Sequence, residues 1–93
     1  QEAGEQLMRV TVISPETALY DGEADAVVVP AFDGQVGILP NHAPFMALLG
    51  DGTMTLRHGG TTRTFRVQGG FVQVVPNTVR VVAEHVSGGS HAA

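Results

Sequence analysis

Apolar side chains recur at every second residue along most of this chain. That spacing places them on one face of an extended strand while their neighbours face the other way. Met8, Val10 and Val12 alternate with Arg9, Thr11 and Ile13, and Met54 and Leu56 with Thr53, Thr55 and Arg57. The pattern returns in Phe65 and Val67 against Thr64, Arg66 and Gln68, and in Val79, Val81 and Ala83 against Arg80, Val82 and Glu84. Helical spacing is scarce, and its best window, Pro44 to Leu49, is too short to stand as a helix alone.

Reversal signals punctuate these runs: Ser14-Pro15, Asp21-Gly22, Asp33-Gly34, Gly50-Asp51-Gly52, Gly59-Gly60 and Pro76-Asn77. Glycine and asparagine tolerate positive φ and proline holds φ near −65°, so each favours a turn. Gly59-Gly60 between His58 and Thr61 is the clearest two-residue hairpin loop. Gly69-Gly70 instead interrupts one long β-like stretch from Thr61 to Val75, which predicts a bulge or a sharp bend. The count reaches about eight to ten short strands, an all-β domain of sandwich or barrel type, since two packed layers bury both inner faces where one sheet would leave an apolar face wet. A flexible N-terminal extension over 1–6, one domain over 7–86 and a loose tail over 87–93 complete the expected organisation.

Composition narrows the function classes. The 93 residues hold one modest core, and 43% hydrophobic with 15% charged residues fits a chain that folds. No cysteine is present, so the core holds without disulfides. The net charge of −4 comes from nine acids against five arginines, Arg9, Arg57, Arg63, Arg66 and Arg80, with no lysine. Nucleic-acid binding, which needs a basic patch, is disfavoured. Arg63 and Arg66, the only close pair, read as a solvated strand face. The longest apolar run, Ala26 to Phe32, falls far short of the ~20 residues of a membrane-spanning helix.

Candidate chemistry is sparse. His42, His58, His85 and His91 form no pair at metal-ligand spacing, and no metal or cofactor is expected. Asp21, Glu23 and Asp25 alternate but lack the remaining ligands of a calcium loop, and read as a solvated strand edge. No phosphate-binding glycine motif and no nucleophile elbow occur. His42 lies between Pro40 and Pro44, whose fixed φ angles make this turn rigid. Its imidazole either satisfies backbone groups of the loop or meets a partner. A hydrolase using His42 with Asp33 or Asp51 is a third possibility, without a nucleophile named by the sequence. Gly37, at the start of this turn, is expected to need positive φ or to meet another backbone closely, so that Gly37→Val would weaken folding.

The order of these segments carries more than any one of them. Val12-Ile13-Ser14-Pro15-Glu16 precedes Leu19-Tyr20-Asp21-Gly22-Glu23-Ala24-Asp25. Asp33-Gly34-Gln35-Val36-Gly37-Ile38-Leu39-Pro40-Asn41-His42-Ala43-Pro44 follows, then Val67-Gln68-Gly69-Gly70-Phe71 and Val79 to Glu84. Together these resemble the N-terminal domain of the epsilon subunit of bacterial F-type ATP synthase, over roughly Leu7 to His85.

The resemblance implies a β-sandwich of two five-stranded sheets and a non-catalytic place in the rotating central stalk, on the cytoplasmic face of the bacterial inner membrane. The expected partners are the gamma subunit and the c subunits of the rotor ring, with no direct membrane insertion. Carried over by position, Asp33, Gly34, Gln35 and Val36 face the ring, while Ser14, His42, Ala43, Pro44, Phe45 and Ala47 face gamma. The family's C-terminal helical hairpin, which in some members binds ATP, has no counterpart in Ser87 to Ala93, and a naturally short form is the expectation. A small-ligand or nucleotide-binding regulatory β-sandwich is the alternative from another function class.

Overall fold

The computed structural model of the chain describes the backbone of residues 7–41 and 43–92, and the side chains of 7–41 and 43–88. The expected extension 1–6 and His42 lie outside the described residues. Eight strands follow one another: β1 (Met8–Ile13), β2 (Ala18–Ala24), β3 (Ala26–Ala31), β4 (Gly34–Ile38), β5 (Phe45–Leu48), β6 (Gly52–His58), β7 (Thr61–Val75) and β8 (Thr78–Ala92). There is no helix among the described residues, and Pro44 to Leu49, the best helical window, contains β5.

All eight strands join one hydrogen-bonded path, β2-β1-β8-β7-β6-β3-β4, with β5 added on β7. The path is folded in two because β7 and β8, 15 residues each, serve both layers. In the first layer, β2 and β1 run beside the first part of β8, which pairs with the second part of β7, which pairs with β5. In the second, β4, β3 and β6 lead to the first part of β7 and the second part of β8. Each layer thus has five strands, and counting the two long strands twice turns eight into ten.

The fold line is Gly69-Gly70, with φ of 68° and 104°. The buried face changes across it: Phe65 and Val67 face the core before it, Val72 and Val74 after it. It is a sharp bend and not a bulge, because the pairing with β8 keeps its register, Gln68 opposite His85 before it and Gly70 opposite Ala83 after it, so both strands turn their faces together. A Cβ on Gly70 would run into the Val82 carbonyl oxygen and the Ala83 Cα, so only glycine fits there. Across the layers, the Tyr20 and buried Phe65 rings meet in a T-shaped contact, their centroids 6.3 Å apart and their planes at 72°. The layers also join at one edge, where the Phe32 N–H donates to the Leu48 carbonyl and the Gly50 N–H to the Pro30 carbonyl, both at 2.8 Å, around an Ala31–Leu49 bridge.

The core holds the residues that period two selects. Met8, Val10, Val12, Met54, Leu56, Phe65, Val67, Val79, Val81 and Ala83 are all buried. They are joined by Val27 and Val29 from a run that is apolar on both faces, and by Ile38, Val72 and Val74.

Several local expectations need correction. Asp21-Gly22 is no turn but lies within β2, paired to Thr11 and Val10. The strand continues because Gly22 leaves room for the Tyr20 ring, whose hydroxyl donates to the Glu23 carbonyl at 2.8 Å. Asp25 leaves the solvated edge and accepts from the Gly59 N–H at 3.1 Å. The close pair of arginines splits, because residues three apart on a strand point to opposite faces. Arg63 lies 5.4 Å over the Tyr20 ring and Arg66 is exposed on the other side. Ser87 to Ala92, expected as a loose tail, extends β8 along β7 to the pair Thr62–Ala92. Backbone pairing to an existing strand needs no apolar side chain, so the small polar composition did not reveal it.

Candidate interaction surface

Two neighbouring features hold Asp33, Gly34, Gln35, Val36, Phe45 and Ala47 among the predicted contact residues. The first is the β3–β4 hairpin. Ala31 pairs with Gly34, leaving Phe32 and Asp33 as the turn, and Gly34 has φ of 139°, which favours glycine. Asp33, Gly34 and Gln35 are exposed, while Val36 is half-buried against the core. At the tip Phe32 is 79% exposed, a costly position for an aromatic ring unless something covers it.

The second feature is β5, an edge strand in which Phe45 and Ala47 pack against the core while Met46 and Leu48 point outward. Leu48 is 66% exposed. It stands in register with Phe71, Phe71 with Val82, and Val82 with Ile13. Cross-strand partners share a face, so these four form one apolar row across the outer side of the first layer. The Phe32–Leu48 hydrogen bond joins this row to the hairpin tip. The β3–β4 hairpin tip and the outer side of β5 therefore border one continuous surface.

The connection between β4 and β5 is fixed at Asn41, whose φ is 67°. Its N–H donates to the Asn77 side-chain oxygen at 2.9 Å, and the Asn77 amide donates back to the Asn41 side-chain oxygen at 3.1 Å. Asn77, with φ of 60°, occupies the two-residue turn between β7 and β8, so one clasp holds a crossover and a hairpin together. Ala43 and Pro44 follow, exposed, at this end of the first layer. Ser14 lies at the opposite end, in a turn whose N–H donates to the Thr17 carbonyl at 2.8 Å, and on the far side of β8 and β7 from β5. The structure does not bring Ser14 together with Ala43 and Pro44, although Ser14 adjoins Ile13 in the apolar row.

Gly37 behaves otherwise than expected. It is not among the glycines with positive φ, and a Cβ built on it meets nothing within 4 Å. Asp33 and Asp51 are exposed on separate loops. Among the described residues no three His, Asp or Glu side chains stand together to hold a metal. No helix there is long and apolar enough to cross a membrane.

Sequence reading missed Phe32, Met46 and Leu48. The signal existed, since Phe45 and Ala47 alternate with Met46 and Leu48 at period two. Pro44 at the head of the segment and its run of helix-forming residues concealed it.

Residues 7–89 match the family model described as ATP synthase, Delta/Epsilon chain, beta-sandwich domain. An ATP synthase epsilon chain of Leptospira borgpetersenii serovar Hardjo-bovis is 49% identical over 78 residues, which are 84% of this chain and 61% of that protein. An ATP synthase epsilon chain of Caulobacter vibrioides is 42% identical over 78 residues, 84% of this chain and 91% of that one. Among solved structures, a chain of the Euglena gracilis mitochondrial ATP synthase OSCP/F1/c-ring assembly superposes with a TM-score of 0.83 at 18% identity, covering 91% of this chain and 54% of that chain. A chain of the Tetrahymena thermophila mitochondrial ATP synthase central stalk/c-ring superposes with a TM-score of 0.73 at 19% identity, over 90% of this chain and 68% of its own length. At those identities the two likenesses speak for the fold, while the closer sequence relatives carry the kinship. The two-layer arrangement, the buried period-two residues and these relatives agree that the chain belongs to the ATP synthase delta/epsilon chain β-sandwich family.

Proposed function

We propose that this domain is a non-catalytic rotor component of a proton-translocating F-type ATP synthase, joining rotation of the membrane ring to the catalytic head through gamma. The observation that carries this reading is the apolar row Ile13, Val82, Phe71 and Leu48, continued by Phe32 at the hairpin tip. Side chains of this size on the outside of a small domain are stabilised by a partner that removes them from water, at about 1.5–3 kcal/mol for each one fully covered. The row meets gamma, and the hairpin residues Asp33, Gly34, Gln35 and Val36 meet the c subunits. Ala43 and Pro44 extend the gamma contact along β5. In this reading the domain is peripheral to the membrane, on the cytoplasmic face of the bacterial inner membrane.

Purified gamma subunit tests the reading by titration calorimetry against the chain. A complex of micromolar affinity or better is expected, weakened about tenfold or more by Leu48→Glu, since a carboxylate in an apolar interface costs at least 1.4 kcal/mol. The melting temperature of the variant stays unchanged, because Leu48 is exposed in the free domain. Absence of a complex, or equal affinity of the variant, refutes the assignment of this face.

A further inference from the structure

The outer side of the second layer carries a feature that the rotor reading does not use. There β7 and β8 run side by side, with Gln68 opposite His85 and Arg66 opposite Ser87. Residues two apart on a strand share a face, so these four side chains leave the sheet together. Strand spacing and rise set them at the corners of a rectangle of about 5 Å by about 7 Å. With Val86 they line one cavity of about 210 Å³.

Each corner brings a hydrogen-bond donor: a guanidinium, a primary amide, an imidazole and a hydroxyl. No carboxylate lines the cavity. Glu84, next to His85 in sequence, lies instead over Gly69. The state of the arginines adds to this. In a chain of net charge −4, Arg9 is held by Asp21 at 2.8 Å, Arg57 lies 3.8 Å from Asp25, and Arg63 covers the Tyr20 ring. Arg66 and Arg80 make no ion pair among the described residues, and of the two it is Arg66 that lines this cavity.

We propose that this cavity is a binding site for a phosphate or sulfate group, held by Arg66, Gln68, His85 and Ser87. A tetrahedral oxyanion presents several acceptor oxygens, which suits donors converging from four corners better than a planar or apolar ligand would. The volume suits a small group, below the about 300–1,000 Å³ of pockets that enclose whole drug-sized ligands. No Phe, Tyr or Trp ring lines the cavity. The phosphate is the shared chemistry, and it comes either as a free anion or as a phospholipid headgroup. The proposal stands independently of the contact with gamma.

The test uses the whole chain labelled with nitrogen-15 and titrated with inorganic phosphate at constant ionic strength. Saturable amide shifts confined to residues 66–68 and 85–87 are expected. Arg66→Gln weakens binding by about tenfold, the loss of a charge-assisted hydrogen bond. Arg80→Gln, a change to an exposed arginine on the other layer, leaves it unaltered. Co-sedimentation with phosphatidylglycerol vesicles, lost in Arg66→Gln, assigns the headgroup as the source, whereas phosphate shifts without vesicle binding assign the free anion. No saturable shift up to about 50 mM phosphate together with no vesicle binding, or equal behaviour of Arg66→Gln and Arg80→Gln, overturns the proposal.

Discussion

Replacing Gly70 with alanine is the most direct perturbation of the fold line. Two costs add at this position. A φ of 104° lies where L residues are strained, at about 1–3 kcal/mol. The new methyl would also meet the Val82 carbonyl oxygen and the Ala83 Cα. Both are backbone atoms of the paired strand that cannot swing aside, and overpacking of this kind costs about 1–3 kcal/mol. The sum is centred near 3–4 kcal/mol, against a total stability of about 5–14 kcal/mol for a domain of this length. The melting temperature should fall by at least about 8 °C, since the low ends of the two costs sum to about 2 kcal/mol and each kcal/mol shifts a domain of this size by about 4–8 °C. Gly69→Ala is the internal control. Its φ of 68° is a left-handed conformation that alanine adopts for about 1 kcal/mol. Its methyl meets only the Glu84 carboxylate, the far end of a flexible side chain. Urea unfolding followed by circular dichroism measures both variants, with equal m-values needed to attribute the difference to the native state. If Gly70→Ala lies within about 0.5 kcal/mol of Gly69→Ala, the argument that backbone approach dictates glycine at this corner is wrong.

Gly37→Val should leave stability unchanged or raise it by up to about 1 kcal/mol, because the position lies in an edge strand with open space beside it; a clear loss in thermal unfolding would count against the extended geometry. Asn77→Ala should destabilise by about 2 kcal/mol, losing both hydrogen bonds to Asn41 and placing alanine at positive φ, whereas Asn77→Gly retains the backbone preference and loses about 1 kcal/mol. Equal effects of the two would show that the clasp and not the backbone carries the cost. Phe65→Ala should cost about 3–5 kcal/mol by chemical denaturation, since the ring is buried between the layers and makes a T-shaped contact with Tyr20. Breaking the Arg9–Asp21 pair with Asp21→Asn should change stability by less than about 1 kcal/mol, as both side chains are more than half exposed. A larger change, or one insensitive to added salt, would contradict that view.

Much of this architecture is legible in the chain itself. Period two names the buried residues of β1, β6, β7 and β8 because a strand has only two faces and one of them must leave water. Gly59-Gly60 and Pro76-Asn77 mark hairpins because few residues accept their backbone angles, and the structure has φ of 61° and 87° at the first and 60° at Asn77. The family resemblance is legible too, since it rests on an ordered set of local segments.

What tertiary structure alone decided is how those strands share neighbours. Sequence places Gly69-Gly70 as a break, yet only the pairing of both long strands on each side of it turns eight strands into two layers of five. The Asn41–Asn77 clasp and the Phe32–Leu48 junction link residues 36 and 16 positions apart, and nothing local to either partner announces the other. Exposure is decided at the same level. Phe32 and Leu48 have the chemistry of core residues, and only the assembled sandwich, whose inner faces are already filled, leaves them outside. Arg66 likewise becomes available only in the assembled sheet, where the pairing of β7 with β8 sets it beside Gln68, His85 and Ser87 and no acid among the described residues pairs with it. Local sequence dictates which backbone angles and which faces are affordable, but the competition for a small interior is settled only when all the strands are in place.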